Sequence, residues 1–322
     1  MKTSSNIFKG TIYALSACLI WGLIFIVPLF MESFTPIEIA LGRYLTYGGL
    51  SMLILIKAYF QRRFFYPIAI WVRALGYSFV CSIGYYTFVI LALRNSTPAI
   101  CTLILGICPI TIAFYGNWRT KECSYKSLIF PSVLILVGLI IINAPHLSET
   151  TSPSTYFFGL MCAVLALLGW SWYVVANSAF LKKNPEVDSG DWSTLIGVST
   201  LFWVLILGGV SLGFFEGQVD FSKYDNEGPE LYNFLIGCGF LGIFCSWVGG
   251  FLWNKASLYL PVSLAGQLTI FETLFGICYV YLFEQRLPPT LEFTGIVLLV
   301  SATIYGIRIF SHSTQAEEGV AI

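Results

Sequence analysis

Apolar residues run in blocks of about twenty along this chain, separated by short polar or proline-bearing stretches. A helix of about 20 apolar residues matches the hydrocarbon thickness of a bilayer. The pattern predicts ten membrane-spanning helices, over 11–31, 37–56, 68–93, 97–118, 127–143, 156–180, 194–215, 231–253, 261–283 and 289–310. Pro36, Pro67, Pro98 and Pro261 fall at breaks, as do "NAPHLSETTSPS", "KKNPEVDSGD", "EGPE" and "LPP". No break is long enough to hold a domain, so function is expected within the membrane. The first block follows Lys2 and Lys9 but is too long for a signal-peptide core, and only "MESFTP" follows it. It is read as a retained helix.

Composition agrees with that reading. Hydrophobic residues make up 57% of the 322 positions and charged residues 11%, with a mean hydropathy of +0.79. The formal net charge is zero and no basic tract occurs, which argues against nucleic acid as a partner. The sparse cations set an orientation. With both termini cytoplasmic, thirteen Lys and Arg fall on the inner side and three on the outer, where 216–230 is acidic. That bias follows the positive-inside rule and supports an even number of spans. Trp71, Trp118, Trp192 and Trp253 fall at inner helix ends and are expected in an interfacial belt. The nine cysteines form no CxxC pair and mostly lie in apolar runs, as small packing residues would.

The loop 144–155 divides the chain into five spans and five. Segment 92–122 and segment 256–285 share a lead of small and apolar residues, a proline, an apolar helix and a glutamate at its exit. "ALSACLIWGLIF" and "AVLALLGWSWYV" each place a tryptophan mid-helix, Trp21 and Trp170. Five spans per half force the second half to insert upside down, the inverted-repeat plan of secondary transporters. The expected fold is therefore an all-α membrane protein of ten transmembrane helices, built as two inverted five-helix repeats around a central cavity. Repeat 1 is assigned to 1–146, a linker to 147–155, repeat 2 to 156–312 and a cytoplasmic tail to 313–322.

"LIWGLIFI", "LGRYL", segment 92–122 and "LWNKASLYLPVSLAGQLTIFETLFGICYVYLFEQRLPPTLEFTGIVLL" carry a resemblance. Over about 10–310 the chain resembles the drug/metabolite transporter superfamily, of the ten-helix EamA-like type. The resemblance implies a basket of ten helices with a central cavity that moves small metabolites, often outward, without fixing one substrate. Members typically carry a glutamate–proline pair in span 9. Here Glu272 is followed by Thr273, so the proline that would kink the helix is missing there, while Pro109 stands in the first half.

Enzyme chemistry is not expected. The only histidines, His146 and His312, lie outside the spans, all four aspartates lie in loops, and no GxxxxGK[ST] or HExxH occurs. No metal site or cofactor is expected either.

The candidate residues lie at mid-membrane. Glu272 stands alone in span 9, where an acid costs on the order of 2.5–3.5 kcal/mol and must face the interior. It is a candidate for proton coupling or for holding a cationic group, or else a structural acid. Arg43 in span 2 can grip a carboxylate, pair with Glu272 or snorkel. Trp21, Tyr44, Tyr86, Trp170, Tyr173 and Trp247 offer rings for stacking or cation–π contact, or else pack helices. Asn177 and Gln267 are the neutral polar candidates. Glu122 and Glu284 read as caps or interface acids.

The expectation is a secondary transporter in the cell inner membrane for a small organic solute such as an amino acid or amine. Export by alternating access is expected, with proton coupling or exchange. A facilitated carrier or channel without coupling, or a non-transporting receptor or structural protein, remains the alternative. The expected partners are the solute, the lipid bilayer and protons, in a monomer or homodimer.

Overall fold

The computed structural model describes residues 4–61, 65–144, 153–214 and 228–320. Residues 216–227 of the acidic segment, 147–152 of the linker and His146 lie outside them. The described residues contain ten helical segments long and apolar enough to cross a membrane, from Ser5–Met31 to Thr290–Arg308. The predicted spans are all present. The last helix runs on to Val320, through most of the segment expected as a tail.

Several spans are not single helices. Span 1 is α1 (Ser4–Gly22) followed by two short 3-10 segments around Pro28. Span 2 is α2 (Pro36–Phe60). Its start is a capping box: the Thr35 hydroxyl accepts from the Glu38 amide, and Glu38 Oε2 accepts from the Thr35 amide at 2.6 Å. Span 3 is α3 (Ile68–Ser78) and α4 (Tyr85–Asn95), joined by a π-helical segment at Phe79–Gly84. Span 4 is α5 (Pro98–Gly106) and α6 (Cys108–Thr120). Span 5 is α7 (Tyr125–Asn143).

The second half repeats the scheme. Span 6 is α8 (Pro153–Lys183) and span 7 is α9 (Ser189–Phe214). Span 8 is α10 (Pro229–Phe240) and α11 (Gly249–Tyr259), joined by a π-helical segment at Leu241–Val248. Span 9 is α12 (Val262–Leu268) and α13 (Ile270–Phe283), and span 10 is α14 (Thr290–Val320). Spans 3 and 8, and spans 4 and 9, are thus irregular in corresponding places, as broken helices around a midplane site are in inverted repeats, whereas span 1 is irregular and its counterpart, span 6, is one helix.

Packing between helices has the same symmetry. Span 5 packs on span 10, span 2 on span 7 and span 4 on span 9, while span 3 packs on span 6 as span 1 packs on span 8. Exchanging the halves maps this set of pairs onto itself. Crossing an even number of times puts both termini on one side, here the termini face.

Spans 4 and 9 decide where the interior opens. Their termini-side parts, α6 and α12, pack closely. Gly266 and Gly116 allow this: a Cβ on Gly266 would sit 2.9 Å from the Ala113 amide nitrogen, and one on Gly116 would sit 2.7 Å from Val262 Cγ1. The far-side parts, α5 and α13, form no such packed pair. The two spans therefore fork at their breaks. Tyr13 stacks on Tyr259 at 5.9 Å and seals the termini side next to them.

The tryptophan belt needs correcting. Trp118 is exposed, but Trp192 and Trp253 are almost fully buried. Trp192 lies against Phe180 at 4.3 Å and Trp253 against Trp21 at 5.4 Å. They plug the closed side of the bundle and do not face lipid headgroups.

Candidate functional site: the fork of spans 4 and 9

The break in span 9 explains the position of Glu272. The Thr269 amide donates to Gly266 O at 3.2 Å and the Glu272 amide to Thr269 O at 3.0 Å. These are one-turn-tight bonds that end α12 and start α13. They leave Leu268 O free, and the Cys18 thiol takes it at 3.5 Å. The break forms without the proline that the family resemblance would place after Glu272. Glu272 falls in the first turn of α13. There the aligned peptide dipoles favour an acid, and a membrane carboxylate gains a reason to be tolerated. It is partly exposed inside the bundle, and its carboxylate has no hydrogen bond or ion pair among the described residues.

Arg43 and Glu272 form no ion pair among the described residues. Arg43 Nε donates instead to Ser246 Oγ at 2.9 Å, and the guanidinium lies 5.6 Å from the centre of the Tyr44 ring. Ser246 sits in the π-helical segment of span 8 and its hydroxyl donates to Leu241 O, five residues back. The wider turn sets this serine against the arginine. In span 3 the matching segment holds Ser82, whose carbonyl accepts from the Tyr44 hydroxyl at 3.3 Å. Both segments read Cys-Ser, Cys81–Ser82 and Cys245–Ser246. Sequence reasoning missed this internal repeat, and it marks the two π turns.

Aromatic rings form the wall on the other side. Trp170 lies 6.3 Å from Trp21, 5.1 Å from Tyr85 and 5.5 Å from Tyr173. The Trp21 indole donates to Cys245 O at 2.8 Å. The Trp170 indole and the Tyr85 hydroxyl have no hydrogen-bond partner among the described residues and are not sealed from solvent. Of the residues predicted, Trp21, Arg43, Tyr44, Trp170, Tyr173 and Glu272 are brought together. Tyr86 borders them, edge-on to Tyr44 at 6.2 Å, with its hydroxyl on Pro36 O at 2.6 Å. Cys108, Thr111 and Ser171 belong to the same region and escaped the sequence reading. Thr111 and Ser171 share a hydrogen bond of 2.6 Å across the two halves.

Three predicted residues sit elsewhere. Asn177 is fully buried, accepts from the Trp192 indole at 2.6 Å and donates to Asn254 at 2.9 Å. Its amide is used up in packing the termini side. Trp247 turns to span 7, donating to Thr194 at 3.1 Å and stacking on Phe251. Gln267 is buried against Gly306 of span 10. Neither amide atom finds a hydrogen-bond partner among the described residues.

Residues 8–144 match the EamA-like transporter family. A curated relative, "Inner membrane protein YtfF" of Escherichia coli (strain K12), is 30% identical over 310 residues, covering 93% of this chain and 95% of the relative. The chain belongs to the EamA-like transporter family. A solved structure, titled only "Crystal structure of protein", superposes with a TM-score of 0.72 at 17% identity, over 92% of this chain and 95% of that one. That likeness shows the shared fold. The family makes this chain a membrane transporter. It leaves the solute and the driving force to the chemistry of the residues at the fork.

Proposed function

We propose that the chain is a secondary transporter of a small organic solute carrying a cationic amine beside an apolar or aromatic body, as an amino acid or amine does. The observation that carries this is the unpaired Glu272 carboxylate in the first turn of α13, in a bundle where the rings of Trp21, Trp170, Tyr85 and Tyr173 cluster. The acid would take the amine, the rings would stack on the body or attract the cation, and Arg43 would meet a carboxylate where one is present. Tyr44 and Tyr86 would border the bound solute.

A carboxyl that holds a proton in one half-cycle and the amine in the other couples solute movement to a proton gradient. The cation bias supports cytoplasmic termini, and an inner membrane is the compartment named for the relative; export is the proposed direction. The repeats, 1–146 and 156–312, would rock about the fork.

The experiment is flux in liposomes. Purified protein is reconstituted, a panel of amino acids and amines is tested, and a pH gradient is imposed. Glu272→Gln should abolish pH-driven flux while sparing solute exchange. Unchanged pH-driven flux in that variant would refute the coupling. No movement of any panel solute under any ion gradient would refute the substrate class.

A further inference from the structure

Glu122 stands just past the end of α6 on the termini face, after Lys121, whose φ of 51° ends the helix. Its carboxylate crosses to the other half. Oε1 accepts the Val262 amide at 2.8 Å, and Oε2 accepts both the amide and the hydroxyl of Ser263 at 2.9 Å. Val262 and Ser263 begin α12, which follows Pro261 and has no side-chain cap of its own. The first amides of a helix lack partners within it. An acid from the first repeat therefore supplies the cap that the second repeat lacks.

The far face is built differently. There α5 caps itself, the Thr97 hydroxyl accepting from the Ile100 amide at 3.3 Å. The acid at the far end of span 9, Glu284, is exposed and pairs with its neighbour Arg286. The cross-half cap thus occurs on the face where α6 and α12 are zipped, and not on the face where α5 and α13 part.

We infer that Glu122 is the latch of the closed face, a positioning residue that holds span 9 against span 4 and must release Val262 and Ser263 whenever the bundle opens to the termini side. This rests on the alternating-access reading above. Release costs little once water reaches the site, because the carboxylate and the two amides are then all hydrated. The latch therefore sets the balance between the two open states without locking either.

The test uses full-length protein freed of its native cysteines, in nanodiscs that expose both faces. One reporter is Ala113→Cys, at a position buried beneath the latch. The other is Ile100→Cys, at a partly exposed position at the start of α5. A water-soluble maleimide should label the first slowly and the second quickly. Adding Glu122→Ala should raise the first rate at least tenfold and lower the second. Glu122→Gln, which keeps one acceptor oxygen, should fall between. An unchanged Ala113→Cys rate, or a rise at both reporters as in unfolding, would overturn the latch. The labelling needs no solute. A reciprocal shift in a protein that moves nothing would therefore count against transport and not against the latch.

Discussion

Spans 4 and 9 share a backbone plan and differ in what they carry. Both break once near mid-depth, and the same tight bonds mark the break: Ile107 to Ile104 O and Ile110 to Ile107 O in span 4, Thr269 to Gly266 O and Glu272 to Thr269 O in span 9. Ile110 therefore holds the register position of Glu272. Span 4 has Pro109 at its break and caps its own start. Span 9 has no proline and borrows its cap. The repeat supplies the shape twice, whereas the charge is placed once. Gating by shape and chemistry at the acid can then be perturbed separately.

The largest expected effect removes the charge and leaves the shape. Glu272→Gln is close in size and keeps a polar tip, so the fork should survive with its thermal midpoint little changed. Flux driven by a pH gradient should fall to background. A variant that loses both flux and its melting transition would show that the acid is part of the shape after all, against the separation drawn here.

Next comes the crossing below the fork. A Cβ on Gly266 meets backbone, the Ala113 nitrogen, which has no rotamer to yield. Gly266→Ala should destabilise by about 1–3 kcal/mol. A Cβ on Gly116 meets Val262 Cγ1, a side-chain tip, so Gly116→Ala should cost less. Denaturation midpoints of the two variants in the same detergent check the order. Equal losses would mean that the two spans are not held together at unequal points.

How much of this could be read beforehand depends on what each residue answers to. Span positions follow from transfer of side chains into hydrocarbon, a property of each block taken alone, and all ten were legible. Glu272 and Arg43 were legible for the same reason: a charge at that depth is costly wherever the helix faces. The break at Thr269 was not, because it comes from backbone bonds and a threonine that reads as an ordinary helix residue. The Cys-Ser doublets at 81–82 and 245–246 were a legible signal left unused. Asn177, Gln267 and Trp247 were assigned by depth alone. Which way each turned was decided by neighbours such as Trp192, Gly306 and Thr194, and depth carries no information about face.

A smaller effect tests what replaces proline in span 9. The Thr269 hydroxyl donates to Gly266 O at 2.6 Å, the carbonyl that also takes the Thr269 amide. Thr269→Val keeps the shape and removes that bond. It should cost about 0.5–1.5 kcal/mol, read as a lowered melting midpoint, with slower flux if the break loosens. A stability equal to the parent would show that the tight bonds alone hold the break.

The smallest effect is expected at Pro109, the residue that looks most responsible for a break. Span 9 makes the same turn with Phe271 in the matching position, so the backbone there accepts an ordinary N–H. Proline at a compatible position stabilises chiefly by restricting the unfolded chain, by about 0.4–1 kcal/mol. Pro109→Ala should lose about that much and nothing of the fork: flux should persist, and labelling of Ala113→Cys should stay slow. The two spans would then be equivalent in how they bend, and proline in span 4 would reinforce a turn that the packing of α6 on α12 already dictates. A large loss of flux on Pro109→Ala would reverse this. It would make span 4 the rigid arm of the fork and span 9, with its borrowed cap and threonine-held break, the arm that moves.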